Sequence, residues 1–329
     1  MKSPRFWSED GALSRLLTPL AALWTLGGRA RRVGTRPYQP RVPLICVGNA
    51  TVGGTGKTPV VQALVADLIE IGQRPGILSR GYGGRLKGPV QVDPAHHESA
   101  DVGDEPLLHA PLAPTVIARD RAAGARLLER LGVTVIVMDD GLQNASLSPS
   151  ASLLVIDGAT GFGNGRVLPA GPLREPVADA MSRVSAAVLL GRDRTGVGSE
   201  IPTDMPLFSA LIEPLPDADL FRGKRVLAFA GIGRPEKLRE TLADLGAEVV
   251  DLISFPDHHP YGADEIMTLI ELAQRSDAAL VTTTKDHVRL PEEARAVVKP
   301  LRVRLVWQLP DEVLRWLRHV LESSAMPPH

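Results

Sequence analysis

The chain has a single cysteine, Cys46, which excludes a disulfide framework and a cysteine-rich zinc site. It also lacks a long apolar run. The uncharged apolar stretch at 16–26 has 11 residues, against the roughly 20 that a membrane span requires. Net charge is only -1, so there is no general basic surface and no nucleic-acid partner is expected. Internal repeats and low-complexity tracts are absent. What remains is a globular composition, with 44% hydrophobic and 23% charged residues. Its 329 residues are enough for two domains. Glycine (31) and proline (28) are plentiful, so loops and close backbone approaches should be too.

Charge is unevenly spread. Residues 1–40 carry seven basic residues, Lys2, Arg5, Arg15, Arg29, Arg31, Arg32 and Arg36, against Glu9 and Asp10. In the same segment Leu13, Leu16, Leu17, Leu20 and Trp24 fall at helical spacing and form one apolar face. Thr18 and Pro19 read as an N-cap and first-turn proline, which predicts a kinked helix or two short ones. Arg15 interrupts the run and no small-x-small cleavage site follows, against a signal peptide. The segment reads as a basic amphipathic element lying on an anionic membrane surface.

Beyond it, strand and helix patterns alternate. Strands are predicted at 42–47, 77–79, 133–138, 153–156, 187–190, 226–230, 249–253, 280–283 and 303–307. Helices are predicted at 57–71, 121–131, 236–245, 264–275 and 311–321. Buried apolar strands separated by helices imply an α/β fold with mainly parallel sheets. The run E-P-L-P-D-A-D at 213–219 reads as a linker. The expected units are a membrane-associating segment at 1–36, a larger α/β domain at 37–215 and a smaller α/β domain at 216–329.

The stretch L-I-C-V-G-N-A-T-V-G-G-T-G-K-T-P at 44–59 places a glycine-rich turn between a buried strand and a helix. That is the setting of a phosphate-binding loop, in which successive backbone N–H groups and a helix N-terminus surround phosphate oxygens. Thr51, Val52, Gly53, Gly54, Thr55, Gly56, Lys57 and Thr58 are the candidate nucleotide-binding residues. Lys57 would reach the β/γ-phosphates, and Thr58 would place its hydroxyl on Mg²⁺. Thr51 departs from the pattern, which has glycine there. The second element of such a site is a strand ending in an acid, supplied by V-T-V-I-V-M at 133–138 followed by Asp139 and Asp140. Adjacent carboxylates on a continuing strand point to opposite sides and so cannot share one role.

A guanine-specific N/T-K-x-D motif is missing, which favours ATP. Three further stretches bear on the acceptor: S-R-G-Y-G at 79–83, G-D-E-P at 103–106 and F-P-D-H-H-P at 255–260. Carboxylates and histidines in flanking loops suit deprotonation of a hydroxyl.

Together with A-R-D-R at 118–121, D-D-G-L-Q at 139–143, G-N-G-R-V-L-P-A-G-P-L-R-E at 163–175 and T-T-K-D at 283–286, these motifs resemble the tetraacyldisaccharide 4'-kinase family, the lipid A 4'-kinases of Gram-negative bacteria. The resemblance covers nearly the whole chain, in the family's motif order. It implies a P-loop NTPase-like, mainly parallel sheet with helices on both faces, plus a smaller C-terminal α/β domain. It implies transfer of the γ-phosphate of ATP to the 4'-hydroxyl of a tetraacylated glucosamine disaccharide 1-phosphate, with Mg²⁺. The work would be done at the cytoplasmic face of the inner membrane, by a peripheral monomer. Carried over residue by residue, Asp104 matches the catalytic aspartate and His258 its paired histidine. Arg119 and Arg174 match arginines facing the phosphates or the acceptor, and Asp139 and Asp140 lie near the metal with Gln143 close by. Two positions depart: Asn144 stands where histidine is usual, and Thr284 replaces an acid in T-E-K-D. The other reading is a membrane-associated P-loop ATPase switch of the partitioning type, although Val52 stands where that family has a second lysine.

Overall fold

The computed structural model describes residues 4–325. Lys2 of the basic segment and residues 326–329 of the expected smaller domain lie outside the described residues. The strands are β1 (Leu44–Gly48), β2 (Pro75–Ser79), β3 (Val90–Gln91), β4 (Thr115–Ile117), β5 (Val135–Asp139), β6 (Ala151–Asp157) and β7 (Ala186–Leu190). Then follow β8 (Leu207–Pro214), β9 (Arg225–Ala230), β10 (Glu248–Ser254), β11 (Ala279–Thr283), β12 (Lys299–Leu301) and β13 (Val303–Trp307).

Nine strands form one sheet in the order β13-β8-β7-β6-β1-β5-β2-β4-β3. The seven inner strands are parallel, and only the edge strands β3 and β13 run antiparallel to their neighbours. A second, four-stranded parallel sheet has the order β10-β9-β11-β12. The large sheet is buried on both faces, which is why its strands read as continuous apolar runs. Alternate residues serve the two sides. Leu44, Cys46, Ile136 and Met138 pack on one core, and Ile45, Val47, Val135 and Val137 on the other with Val60, Leu64 and Leu68 of helix Lys57–Glu70. The fold is therefore the expected α/β arrangement with a P-loop-type sheet. Burial pushes the Cys46 thiol up to about 12, so this cysteine is an inert core residue.

The domain boundaries expected from sequence need one correction. Residues 303–325 do not belong to the smaller unit. β13 pairs antiparallel with β8 at the edge of the large sheet. Behind it, Val313, Leu317 and Val320 of helix Pro310–Ala325 enter the same core as helix Lys57–Glu70. The Trp307 indole donates to Asp67 Oδ2 at 2.8 Å, tying the returning strand to that helix. Nor is 213–219 an open linker: it is the end of β8 followed by a 3₁₀ turn, Pro216–Phe221.

At the N-terminus the proline does divide the apolar segment, into helices Ala12–Leu16 and Thr18–Val33. Leu17 rather than Thr18 is the N-cap, and the Thr18 hydroxyl donates back to Ser14 O. The pair is docked by polar contacts. Asn164 donates to Ser14 Oγ and Phe6 O, Arg166 to Thr18 Oγ1, and Trp24 Nε1 to Arg174 O. The leucines Leu13, Leu16, Leu20, Leu23 and Leu26 stay exposed, Leu16 at 75%.

Burial of Asp67 pushes its carboxyl up to about 6, against the lowering effect of the Trp307 bond. A carboxyl raised on folding contributes its full stability below its unfolded pKa, near 4, and loses it as pH climbs through about 6. Asp67→Asn keeps an acceptor for Trp307. It should add about 1–2 kcal/mol to unfolding stability at pH 7.5, after discounting for solvent screening, and nothing near pH 4. Urea unfolding of both proteins at the two pH values checks this, and an equal effect at both would refute it.

Candidate active site

The loop at 49–56 leaves the C-terminal end of β1 and turns into helix Lys57–Glu70. Its outer side is stitched to the P-A-G-P-L-R-E segment. Val52 N–H donates to Pro172 O at 2.8 Å, and Arg174 N–H to Ala50 O at 2.7 Å. Thr51 bridges to Leu173 and keeps a negative φ, so the position where the pattern has glycine needs none here. Gly56 does need to be glycine. Its φ is +83°, and a Cβ there would meet the Leu190 side chain. The loop leaves Val52, Gly53 and Gly54 exposed, and Thr58 lies half-buried in the first helical turn. Thr55 Oγ1 is buried without a partner. Lys57 Nζ donates to Asn49 Oδ1 at 3.0 Å and lies 3.5 Å from Asp140 Oδ1.

The strand ends at Asp139 and the chain turns at Asp140, so strand alternation does not set where the two acids point. Asp139, the last residue of β5, is turned inward, and His109 Nε2 lies 3.1 Å from its Oδ2. Burial pushes this carboxyl up, but the His109 bond and the charges of His109, Lys57 and Arg121 outweigh it and hold the carboxyl below its usual range. Its Oδ1 is buried with no protein partner. Asp140 takes a left-handed backbone, φ +53°, and faces outward to Lys57 and to Arg174 Nη1 at 3.0 Å. An aspartate held there signals a constraint imposed by its surroundings. Gln143 is drawn away from a metal role. Its Oε1 accepts from Arg174, and its Nε2 donates to Asn49 O and Glu175 Oε1.

Across the site, Gly103 joins two short helices at φ +88°, and a Cβ there would strike Tyr82 O. This turn directs Asp104 into the boundary between the two sheets, where it is buried. Asp104 Oδ1 accepts from Ser99 Oγ at 2.5 Å. Its Oδ2 lies 2.8 Å from His258 Nδ1 and 2.8 Å from Arg289 Nε, both from the smaller unit. Burial pushes the Asp104 carboxyl up. The His258 bond, the Arg289 charge, the Ser99 bond and the Lys285 charge together overcome that and bring it to about 2. Asp104 is thus an anion that only accepts, so the proton between the two groups sits on His258 Nδ1. In the neutral ring Nε2 then carries the free lone pair. His258 has a left-handed backbone, φ +59°, and its ring packs edge-on against Tyr82.

Asp104, Glu105 and His258 lie close enough together to suggest a metal cluster. Both carboxylates are already neutralised by protein cations, Asp104 by Arg289 and Glu105 by Lys285 at 2.8 Å. The donor set therefore does not call for a metal.

The structure thus brings together Lys57, Asp140 and Arg174 on one side and Asp104 with His258 on the other. Arg119 is exposed and, among the described residues, forms no ion pair with these groups. The arginine of A-R-D-R that turns inward is Arg121, whose Nη1 donates to Ala118 O at 3.3 Å. It is buried among Asp139, Asp140 and Arg80, and burial lowers it to about 10. Sequence reasoning also passed over Glu175, which closes the long G-N-G-R motif and accepts from Arg32, Arg183 and Gln143. A third omission is the pair Arg234 and Lys237, which meets Asp157 at the end of β6 at 2.9 and 3.0 Å. Glu175 and Arg121 lay inside quoted motifs and could have been weighed. His109 and Arg289 had no signal beyond their distance from a motif.

The chain was compared with known proteins. The tetraacyldisaccharide-1-P 4'-kinase family matches residues 13–322. A tetraacyldisaccharide 4'-kinase of Rhodospirillum centenum is 53% identical over 98% of both chains. One of Gluconacetobacter diazotrophicus is 48% identical, covering 99% of this chain and 100% of the relative. Among solved structures, the "apo" form of LpxK from Aquifex aeolicus in complex with ATP superposes with a TM-score of 0.77 at 28% identity. That match covers 94% of this chain and 99% of the other. The family match over residues 13–322, relatives near 50% identity and near-complete coverage in both directions lead to one assignment: this chain belongs to the tetraacyldisaccharide-1-P 4'-kinase family.

Proposed function

We propose that this chain transfers the γ-phosphoryl group of ATP to the 4'-hydroxyl of a tetraacylated disaccharide 1-phosphate, with His258 taking the hydroxyl proton. The observation that carries the mechanism is the Asp104–His258 contact, made by residues 154 positions apart in the two different units. Phosphoryl transfer asks a protein mainly for positioning and charge neutralisation. Backbone N–H groups of residues 53–58 would hold the phosphates, and Lys57 would turn from Asn49 and Asp140 to their negative charge. Arg174 adds a second cation beside Asp140.

The donors present suit Mg²⁺: a buried, unpartnered Asp139 Oδ1, the Asp140 carboxylate and the Thr58 hydroxyl are hard oxygen ligands. The ion would neutralise charge developing on the transferred group. Gln143 and Glu175 brace Arg174 and the loop.

A sugar hydroxyl needs a base within hydrogen-bond reach in the reactive complex. Asp104, held at about 2, is too weak a base for that task. It instead orients the imidazole and stabilises the imidazolium once formed, leaving Nε2 to accept. A partitioning-type switch needs no such pair, and the full-length family match also speaks against it.

The exposed leucine face of the N-terminal helices supports contact with a lipid surface, and the basic residues beside it suit an anionic one. Among the described residues no helix is long and apolar enough to cross a membrane. A peripheral position at the cytoplasmic face of the inner membrane would give one site access to both ATP and an acylated substrate.

In an assay with ATP and tetraacyldisaccharide 1-phosphate in detergent, His258→Ala should lower kcat by about 10²–10⁴-fold and leave KM for ATP within a few-fold. Lys57→Ala should be at least as severe. Turnover by His258→Ala close to the unaltered protein would remove His258 as the base.

For the membrane surface, replacing Leu16, Leu20 and Leu23 with glutamate should move the protein off anionic vesicles in co-sedimentation. Raising the salt should weaken attachment of the unaltered chain, since part of the attraction is electrostatic. Unchanged vesicle binding by the triple variant would show that this face is not the contact.

A further inference from the structure

The T-T-K-D stretch at 283–286 has no task in the phosphoryl-transfer scheme above, yet it builds the deepest polar network of the smaller unit. Asp286 is fully buried. Its Oδ1 accepts from Gly231 N–H at 2.8 Å, Tyr261 Oη at 2.8 Å and Arg289 Nη1 at 3.0 Å. Its Oδ2 accepts from Thr283 Oγ1 at 2.5 Å. The cation that meets this ring of donors on Asp286 is Arg289.

Arg289 is itself 3% exposed and lies between two carboxylates, Asp286 of its own unit and Asp104 of the large one. Its Nη1 also donates to Gly231 O, the same carbonyl that accepts the His258 backbone N–H at 3.1 Å. One guanidinium therefore touches the acid partner of His258 and the backbone that carries His258.

We infer that Arg289 is a positioning residue for the Asp104–His258 pair: it fixes the carboxylate in the rotamer that meets Nδ1, and its charge sets the pH at which the pair works. This rests on His258 being the base.

Asp104 Oδ2 is shared between Arg289 and His258, so each weakens the other's hold on it. The remaining groups facing the imidazole are Glu105, itself paired with Lys285, the Tyr82 ring, and Asp257, whose Oδ1 is 3.9 Å from Nε2. Of the cations named, only Arg289 bonds directly to Asp104. Changing its charge or its counter-ion should shift the pair's titration as a unit.

The test is the acid limb of kcat against pH for three variants. Arg289→Met removes the competing cation. It should move the limb upward by about one pH unit and, through lost orientation, lower kcat on the plateau by about tenfold to a hundredfold. Arg289→Lys keeps the charge without the fork. It should return the limb close to its original position with kcat only partly restored. Asp286→Asn leaves Arg289 in place but uncompensated, drawing it harder onto Asp104, so the limb should move downward.

Opposite shifts from Arg289→Met and Asp286→Asn are what a merely structural role does not produce. A fall in kcat with an unmoved limb in both Asp286→Asn and Arg289→Met would overturn the inference, as would unchanged kcat and limb in Arg289→Met; where Arg289→Met does not fold, an unmoved limb in Asp286→Asn overturns it alone. The two readings fail separately. If His258→Ala retains activity, the base is wrong. If His258→Ala is inactive while the limbs stay put, only the role of Arg289 is wrong.

Discussion

Asp104 is the point at which the two sheets of this protein meet chemically. A buried carboxylate is costly unless cations and hydrogen bonds surround it. Here the large unit supplies the acid and one hydroxyl, Ser99, while the smaller unit supplies the histidine and the arginine. Neither half satisfies the group alone. The same polarity recurs around the boundary: Glu105 meets Lys285, and Asp157 meets Arg234 and Lys237. In every one of these pairs the acid is on the large unit and the base on the smaller one, so the two surfaces attract over distance as well as in contact. The boundary between the two units is thus held by a set of charge pairs, the Asp104 cluster among them.

Backbone strain marks the same places. Only three non-glycine residues among those described have positive φ, and Asp140 and His258 are two of them. Both sit where a strand of the parallel sheet, or the loop after one, must turn a functional side chain out of the sheet direction. Asp139 shows the alternative. It continues the strand, stays inside, and meets His109 rather than the loop lysine. The left-handed turn at Asp140 is what brings the second carboxylate back to Lys57.

Much of this was legible in the sequence because it is written in local patterns. Apolar runs between helices gave the parallel sheet, since a strand buried on both faces has no polar alternation to hide it. The glycine-rich turn gave the P-loop, and the resemblance of the motifs gave Asp104 and His258 as partners. What was missed depends on tertiary neighbours. β13 reads like any buried strand, and nothing local says which sheet edge it joins. Arg289 looks like a surface arginine three residues after a motif until the fold places it between two acids. Arg119 and Arg121 sit two positions apart in one short motif, and only the start of the helix at Arg121 decides which of them turns inward.

The return of β13 has a consequence for how the chain is made. β8 leaves the large sheet at Pro214, and its edge partner begins at Val303. Everything between is the smaller unit, which therefore sits as an insertion in the large one. During synthesis the ribosome must deliver the whole of that insertion before the last strand exists. Until then β8 stands as an open edge, the kind of surface that recruits strands from other chains. The smaller unit, parallel-stranded and wrapped in its own helices, can complete its core first. The large sheet is closed only when β13 has emerged.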